Sequence, residues 1–512
     1  MAPLTIPFVI NGEERVPEQT FEVKAPATGD VLHLCGIATE SDATAAVEAA
    51  AAAGVAWRET DPGTRRDIFL KASEIMDSRR ADLAKYFDDE LGIGGGWAEF
   101  NINTVMGMFK DVAGRVSSIV GTVPHVADPS TSASKSRPTP DAYPFLSLHP
   151  ESIGLSRFHH SQRETIRLTH RAAVILREPY GVVLAMAPWN APLILGTRSV
   201  LCPLAAGCTV VLKGSESAPR IMHSIVSILQ DAGLPKGALN FITSNPANAA
   251  AVTESIISNP HVRKVSFTGS TAIGRIIASM AGKYLKPLVL ELGGKAPSIV
   301  WKDANLDLAA AQCSLGAFLV SGQVCMSTEK IIVHKAVSEK FIEKLQQTIS
   351  KMWPDALILI NAQPVEKNKK LVADAISKGA TVLYGDINAE ETAKNLMRPI
   401  VVGKVTPEMD IYKQESFGPT VSLIEVDTEA EALRLANDTE YGLSAAVFTE
   451  DLRTGLRFAK GIESGAVHIN HMTIHDEPAL PHGGTKASGY GRFNASHGLD
   501  EYLKTKTVTW QN

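Results

Sequence analysis

The chain has 512 residues, of which 45% are hydrophobic and 21% charged, and a formal net charge of −5. This is the composition of a globular protein with room for a large core in about two or three domains, and it offers no basic field for nucleic acid or anionic lipid. Its five cysteines, Cys35, Cys202, Cys208, Cys313 and Cys325, are odd in number and sparse, which argues against a disulfide framework and for a reducing, cytoplasmic setting.

Met1-Ala2-Pro3-Leu4-Thr5-Ile6-Pro7 lacks the basic flank and apolar core of a signal peptide. No uninterrupted apolar run reaches membrane-spanning length. Phe8-Val9-Ile10 reads as a strand entering a turn at Asn11-Gly12. Ser41-Asp42 can cap an alanine-rich helix over Ala43–Ala53. Arg65–Phe87 follows as one amphipathic helix with Ile68, Leu70, Ile75, Leu83 and Phe87 inward. Gly92-Ile93-Gly94-Gly95-Gly96 lacks dinucleotide spacing and a preceding strand, so it reads as a helix stop or loop. From Pro129 to His170 the chain is rich in proline and serine and has no sustained period.

After Pro179, short apolar runs alternate with helical segments, the pattern of an α/β fold with parallel sheets. Strands are expected at Gly181–Ala187, Thr209–Leu212, Val265–Phe267, Lys330–His334, Thr381–Tyr384 and Val467–Asn470. Helices are expected at Ile221–Ala232, Ser338–Lys351 and Glu366–Lys378. No short repeat suggests a solenoid.

Several stretches carry side chains suited to chemistry. Glu291-Leu292-Gly293-Gly294-Lys295 places a carboxylate beside two glycines. Gly322-Gln323-Val324-Cys325-Met326-Ser327-Thr328-Glu329, roughly thirty residues on, places a cysteine in a turn. A thiolate is a strong nucleophile and a carboxylate can activate water, although a lone cysteine is more often a small buried hydrophobe. Asn190, in Ala187-Pro188-Trp189-Asn190-Ala191-Pro192, can donate to a developing alkoxide or simply shape a turn. Lys213-Gly214-Ser215-Glu216 ends a strand with two charges that suit either ribose hydroxyls or solvent. Gly269-Ser270, with Gly274 five positions on, opens a helix where backbone N–H groups can meet a pyrophosphate. Gln414-Glu415-Ser416-Phe417-Gly418-Pro419 adds an acid and an aromatic ring. His471 and His475 are spaced as metal ligands on a helix, but they follow a strand and no cysteine is near, so no metal site is assigned.

Taken together and in this order, these motifs resemble the aldehyde dehydrogenase family, over nearly the whole chain outside Pro129–His170. The resemblance implies an α/β fold with a Rossmann-type cofactor domain (1–122 and 171–291), an α/β catalytic domain (292–490), an oligomerisation hairpin (123–170) and a C-terminal oligomerisation segment (491–512). It gives Cys325 the role of nucleophile, Glu291 that of base and Asn190 that of oxyanion donor. Cys325 then needs surroundings that favour its thiolate. Trp189, Lys213, Ser215, Glu216, Gly269, Ser270, Gly274, Leu292, Glu415 and Phe417 would hold the cofactor. Glu216 would repel a 2′-phosphate and favour NAD over NADP, which stays possible.

There are four departures from the family pattern. Gly214 stands where proline is common, which predicts a looser turn. His482 and Phe493 stand where phenylalanine and glutamate are usual. Relatives pass almost directly from a stretch like Gly121–Pro124 to one like Val174–Pro179, so this chain carries an insertion of roughly 35–40 residues. It is either a surface loop that alters assembly or a translated retained intron, since removing Ser134–Arg171 leaves a family-like join; recovery of only a shorter transcript would exclude the loop. The motifs are most similar to the salicylaldehyde and vanillin dehydrogenase branch, which implies an aromatic aldehyde substrate and a homodimer or homotetramer. The alternatives are a broad aliphatic or semialdehyde dehydrogenase, or a non-catalytic binder of NAD or aldehyde.

Overall fold

The apolar runs after Pro179 become the centre of an eight-stranded sheet. In a computed structural model that describes residues 3–124 and 171–511, the sheet order is Gly489–Tyr490, Leu288–Glu291, Val262–Thr268, Val182–Met186, Thr209–Lys213, Leu239–Ile242, Phe8–Ile10 and Glu13–Arg15. The five strands from Leu288–Glu291 to Leu239–Ile242 are parallel. Val182–Met186, at their middle, is buried throughout, as its unbroken apolar sequence requires when helices cover both faces. A second sheet runs Thr381–Tyr384, Ile400–Gly403, Thr420–Val426, Thr328–His334, Ala296–Val300, Ser444–Phe448 and Ala466–Ile469, antiparallel only at its first edge. A smaller three-stranded sheet joins Leu4–Ile6, Val31–Gly36 and Thr20–Lys24.

The chain passes from Leu288–Glu291 in the first large sheet to Ala296–Val300 in the second with only Leu292–Lys295 between. That short crossover places the acidic motif at the carboxyl end of one parallel sheet. The Trp189-Asn190 turn, Lys213 and Gly269-Ser270 also follow or end parallel strands of that sheet. Ligands of open α/β sheets gather at this edge.

Most of the expected elements are present, with two corrections. The first helix spans Glu40–Trp57 and is capped by Thr39, not by Ser41-Asp42. Thr39 Oγ1 accepts from the Asp42 N–H at 3.2 Å, and the Asp42 carboxylate accepts from the Thr39 N–H at 2.9 Å, a reciprocal capping box. Arg65–Phe87 is not one helix: Pro62–Ser78 and Arg80–Leu91 meet at Arg79. Arg79 leaves helical geometry (φ −101°, ψ 10°) while its guanidinium reaches Ser227 and Asp231 of the helix Pro219–Asp231. Ile68, Leu83 and Phe87 are buried, but Leu70 is exposed. Gly92 stops the second helix in the left-handed region (φ 65°), a conformation that glycine takes at no steric cost.

Two units divide the chain: 1–119 with 179–504, and 120–178 with 505–512. All the candidate site residues lie in the first. In the second, Thr122 and Ile175 exchange backbone hydrogen bonds. The strands Arg171–Pro179 and Leu503–Gln511 pair as a ribbon. The proposed insertion falls outside the described residues. Among the described residues, no helix is long and apolar enough to cross a membrane.

Candidate active site

The nucleophile candidate owes its position to an unusual turn. After the helix Leu306–Phe318, Val320 and Ser321 take positive φ (54° and 58°) and Gly322 follows at 73°. A β-branched residue at positive φ is strained. Ser321 Oγ donates to the Ile358 carbonyl at 2.6 Å. Ser327 Oγ donates to the Gly322 carbonyl at 3.1 Å. These bonds close the turn that presents Cys325, the one half-buried thiol; the other four are buried.

Cys325, Glu291 and Asn190 line one cavity of about 250 Å³, together with Trp189, Leu195, Gly269, Ser270, Lys367, Glu415 and Phe417. Asn190 Nδ2 donates to the Gln323 carbonyl at 3.0 Å. A carboxamide nitrogen carries two N–H groups, so one stays available to an oxyanion in the cavity. The reverse amide orientation would set Asn190 Oδ1 against the Gln323 carbonyl. Trp97 Nε1 donates to the Asn190 carbonyl at 3.1 Å and holds the turn from behind.

Glu291 is wholly buried. Burial favours its neutral form, but the facing His482 ring, then the Arg198 charge, then the Cys325 thiol outweigh this and leave the carboxyl below its usual range. Arg198 stands 3.7 Å from Glu291 and 3.1 Å from Asp476. Its guanidinium also lies 4.9 Å from the centre of the Phe493 ring. Asp476 in turn accepts from Asn494 Nδ2 at 2.8 Å.

The expectation that the surroundings of Cys325 favour its thiolate is corrected. Loss of water around the sulfur, then the neighbouring Glu291 carboxylate, hold the thiol well above its ordinary value, and Arg198 only partly offsets them. The other thiols are pushed up to about 11 or about 12, chiefly by burial.

A second cleft, of about 370 Å³, is lined by Lys213, Ser215 and Glu216 and shares Trp189, Gly269 and Ser270 with the first. Gly214 is not loose: its N–H donates to the Ile242 carbonyl at 2.9 Å, and a Cβ there would lie 2.6 Å from the Phe241 ring. Burial lowers the Lys213 pKa, opposed by Glu216. Ser270 caps the helix Thr271–Lys283 by accepting from the Ile273 N–H at 3.4 Å. Gly274 and Leu292 line neither cleft; they pack together, and a Cβ on Gly274 would lie 2.5 Å from Leu292. An anion-suited helix start, an acid and a lysine at a strand end, and aromatic walls form a donor set that fits a dinucleotide running from one cleft into the other.

Glu415 accepts from the Gly294 N–H at 2.9 Å. Its carboxyl is raised to about 7, mainly by burial. The loop bearing Glu415 and Phe417 is fixed from beneath by Glu329, which accepts from Ser416 N and Ser416 Oγ at 2.8 Å each and from Phe417 N at 3.1 Å. Lys295 neutralises the same carboxylate at 2.7 Å. Phe417 meets Trp189 edge to face, ring centres 6.1 Å apart.

Sequence reasoning missed Arg198, Asp476 and Glu329 as parts of this site. Arg198 had a signal: it is a lone charge in the helix Pro192–Ala206, every residue of which is buried. The departures at His482 and Phe493 pack together through reciprocal backbone bonds of 2.9 and 2.7 Å. His471 and His475 are not on a helix. With His468 they form a cluster of rings with centres 5.0–6.3 Å apart. Among the described residues no group of three or more His, Cys, Asp or Glu could hold a metal ion.

A model of the aldehyde dehydrogenase family matches residues 13–140 and 151–508. The chain is 39% identical over 518 residues to a vanillin dehydrogenase of Pseudomonas sp. (strain HR199 / DSM 7063), covering 99% of this chain and 98% of that one. It is 35% identical over 501 residues to a salicylaldehyde dehydrogenase of Pseudomonas putida, covering 96% and 95%. The crystal structure of a salicylaldehyde dehydrogenase from Pseudomonas putida G7 complexed with salicylaldehyde superposes with a TM-score of 0.87 at 32% identity, covering 100% of this chain and 98% of that one.

Proposed function

This chain belongs to the aldehyde dehydrogenase family, and from that premise we propose that it oxidises an aromatic aldehyde to the acid through a covalent intermediate on Cys325. It is an NAD(P)-dependent aldehyde dehydrogenase. The observation that carries the residue assignments is the meeting of thiol, carboxylate and carboxamide in one cavity.

The sequence of steps follows from these side chains. Cys325 gives its proton to Glu291 and the sulfur bonds to the aldehyde carbon. The free N–H of Asn190 holds the resulting oxyanion; one such donor contributes about 3–4 kcal/mol. NAD, held beside the cavity by Glu415 and Phe417, would supply the hydride acceptor, and loss of the aldehyde hydrogen as hydride would leave a thioester on Cys325. Glu291 then releases the thiol's proton to solvent and takes a proton from water, the hydroxide oxygen bonds to the thioester carbon, and the carbon–sulfur bond breaks to release the acid and return Glu291's proton to the Cys325 sulfur.

An aromatic substrate is supported by the likeness to vanillin and salicylaldehyde dehydrogenases and by Trp189 and Phe417 in the cavity wall. Glu216 in the wall of the second cleft supports NAD over NADP. We assign the first large sheet to cofactor binding and the second to catalysis. The ribbon of Arg171–Pro179 and Leu503–Gln511 serves assembly into a dimer or tetramer, and the five unpaired thiols support a cytoplasmic setting.

The test follows cofactor reduction by absorbance with salicylaldehyde, vanillin, benzaldehyde and a short aliphatic series, in wild type and Cys325→Ala. Turnover of the aromatic aldehydes that is absent from the variant is expected. A clear preference for aliphatic aldehydes would overturn the substrate class, and full activity in Cys325→Ala would overturn the nucleophile.

A further inference from the structure

A buried carboxylate normally has hydrogen-bond partners, because burying it bare is costly. Among the described residues, neither oxygen of Glu291 has one. The Nε2 of His482, in a residue only 9% exposed, has none either. These two unsatisfied groups face each other, with Nε2 3.9 Å from Glu291 Oε1. Arg198 stands 3.7 Å from the other oxygen, Oε2. The 3.9 Å gap exceeds a hydrogen bond, but catalytic bonds are often long in ligand-free proteins and close through small movements or one water. The His482 backbone is tied to Phe493 by its two reciprocal bonds, so the ring's place is set by the fold.

We propose that His482 is a positioning residue for the hydrolytic step: with Arg198, its ring N–H clamps the Glu291 carboxylate so that it faces the attacking water. The inference rests on the thioester mechanism above. An O–H bond of water breaks and its proton goes to Glu291. The hydroxide oxygen bonds to the acyl carbon as the bond to sulfur breaks, and Glu291 then gives the proton to the neighbouring Cys325 sulfur. The ring and the guanidinium both favour the carboxylate form of the enclosed Glu291, the form that accepts this proton. The other charged or titratable groups around the pair are Cys325, Arg198 with Asp476 behind it, Glu415 across from the thiol, and His468. Burial, with the charges of His475, His471 and His482, holds His468 down at about 4, so it does not compete for Glu291 as a cation near neutral pH.

An activated ester such as p-nitrophenyl benzoate tests this without cofactor. It acylates Cys325 with release of p-nitrophenolate, and steady turnover then reports hydrolysis of the same acyl-enzyme. His482→Phe keeps the ring's bulk and removes its nitrogens; His482→Gln keeps a donor for the carboxylate. In His482→Phe the initial burst should match wild type, the steady rate should fall about tenfold, and the intact mass should show the acyl adduct accumulating. The acid limb of the steady rate should move to higher pH, because Glu291 has lost the ring that depresses its pKa. In His482→Gln both the limb and the rate should return towards wild type. Equal hydrolysis rates and pH limbs in wild type and His482→Phe would overturn the proposal, as would a burst that falls in step with the steady rate. Failure of the mechanism beneath looks different: wild type itself would form no acyl adduct.

Discussion

Gly294 is the point at which the crossover between the two large sheets presses on the nucleophile. A Cβ built on it would lie 2.4 Å from the Cys325 carbonyl oxygen, whereas real Cβ contacts essentially never fall below 3.0 Å. Gly294→Ala therefore displaces one backbone relative to the other by at least about 0.6 Å. A misplacement of about 1 Å in an active site costs on the order of 100-fold, so a loss of roughly 10- to 100-fold in acylation is expected, or about 1.4–2.7 kcal/mol. Alanine keeps the N–H that donates to Glu415, so the loss of that bond is not the cause. Gly293→Ala is the control: its Cβ would meet the Glu415 carboxylate at 2.7 Å, the flexible end of a side chain that can swing aside. The assay is the burst of p-nitrophenolate from an activated ester, alongside kcat/KM for the aldehyde. Gly293→Ala should keep the burst rate and raise the KM for cofactor. A burst rate within threefold of wild type in Gly294→Ala would refute the steric reasoning.

Cys325 is held protonated in the free protein, so its alkylation by iodoacetamide should climb with pH beyond 9, the usual thiol value in the same setting. Glu291→Gln removes the neighbouring negative charge and should shift that curve to lower pH; no shift would mean the carboxylate does not act on the sulfur. Glu415, raised to about 7, gains charge as the pH rises through neutrality, and a carboxylate accepts ribose hydroxyls better than a neutral acid does. NAD+ affinity by titration calorimetry should fall as pH drops through about 7, and Glu415→Gln should flatten the dependence. Glu329→Gln leaves the buried Lys295 ammonium without its counter-charge, which costs about 3–5 kcal/mol. The urea midpoint should drop accordingly, and adding Lys295→Met should recover most of the loss; a double variant as weak as the single one would contradict the ion-pair account.

The parts of the site that were legible in the sequence are those fixed by local patterns. Gly269-Ser270 announces a helix start because a capping serine and a small residue are needed there, and Thr271–Lys283 begins where the motif predicts. The strand ends bearing Lys213 and Glu291 follow from unbroken apolar runs. The break at Arg79 was hidden because neither glycine nor proline marks it; contacts to a distant helix make it. The grip of Glu329 on Ser416 and Phe417 spans nearly ninety residues of chain and leaves no periodic trace. Arg198 was visible as a charge in an apolar helix, but only the fold shows that Asp476 and Glu291 converge on it. Gly214 misled for a related reason, since a family-typical proline suggests rigidity while here a backbone bond and the Phe241 ring supply it.

The convergence on Arg198 bears on how two acids share one dry cavity. Glu291 as a carboxylate raises the Cys325 thiol, and a thiolate at Cys325 would raise Glu291, so the free protein cannot readily carry both charges. Arg198 favours the anionic form of each. Asp476 fixes its direction. The cavity thus holds one proton that either acid can carry while the guanidinium supports the partner's charge. That is what a two-stage reaction needs: sulfur gives the proton up at the first stage, and the carboxylate must be free to accept one from water at the second. A site with the same thiol and acid but no shared cation would fix the proton on one of them and stall one of the two stages.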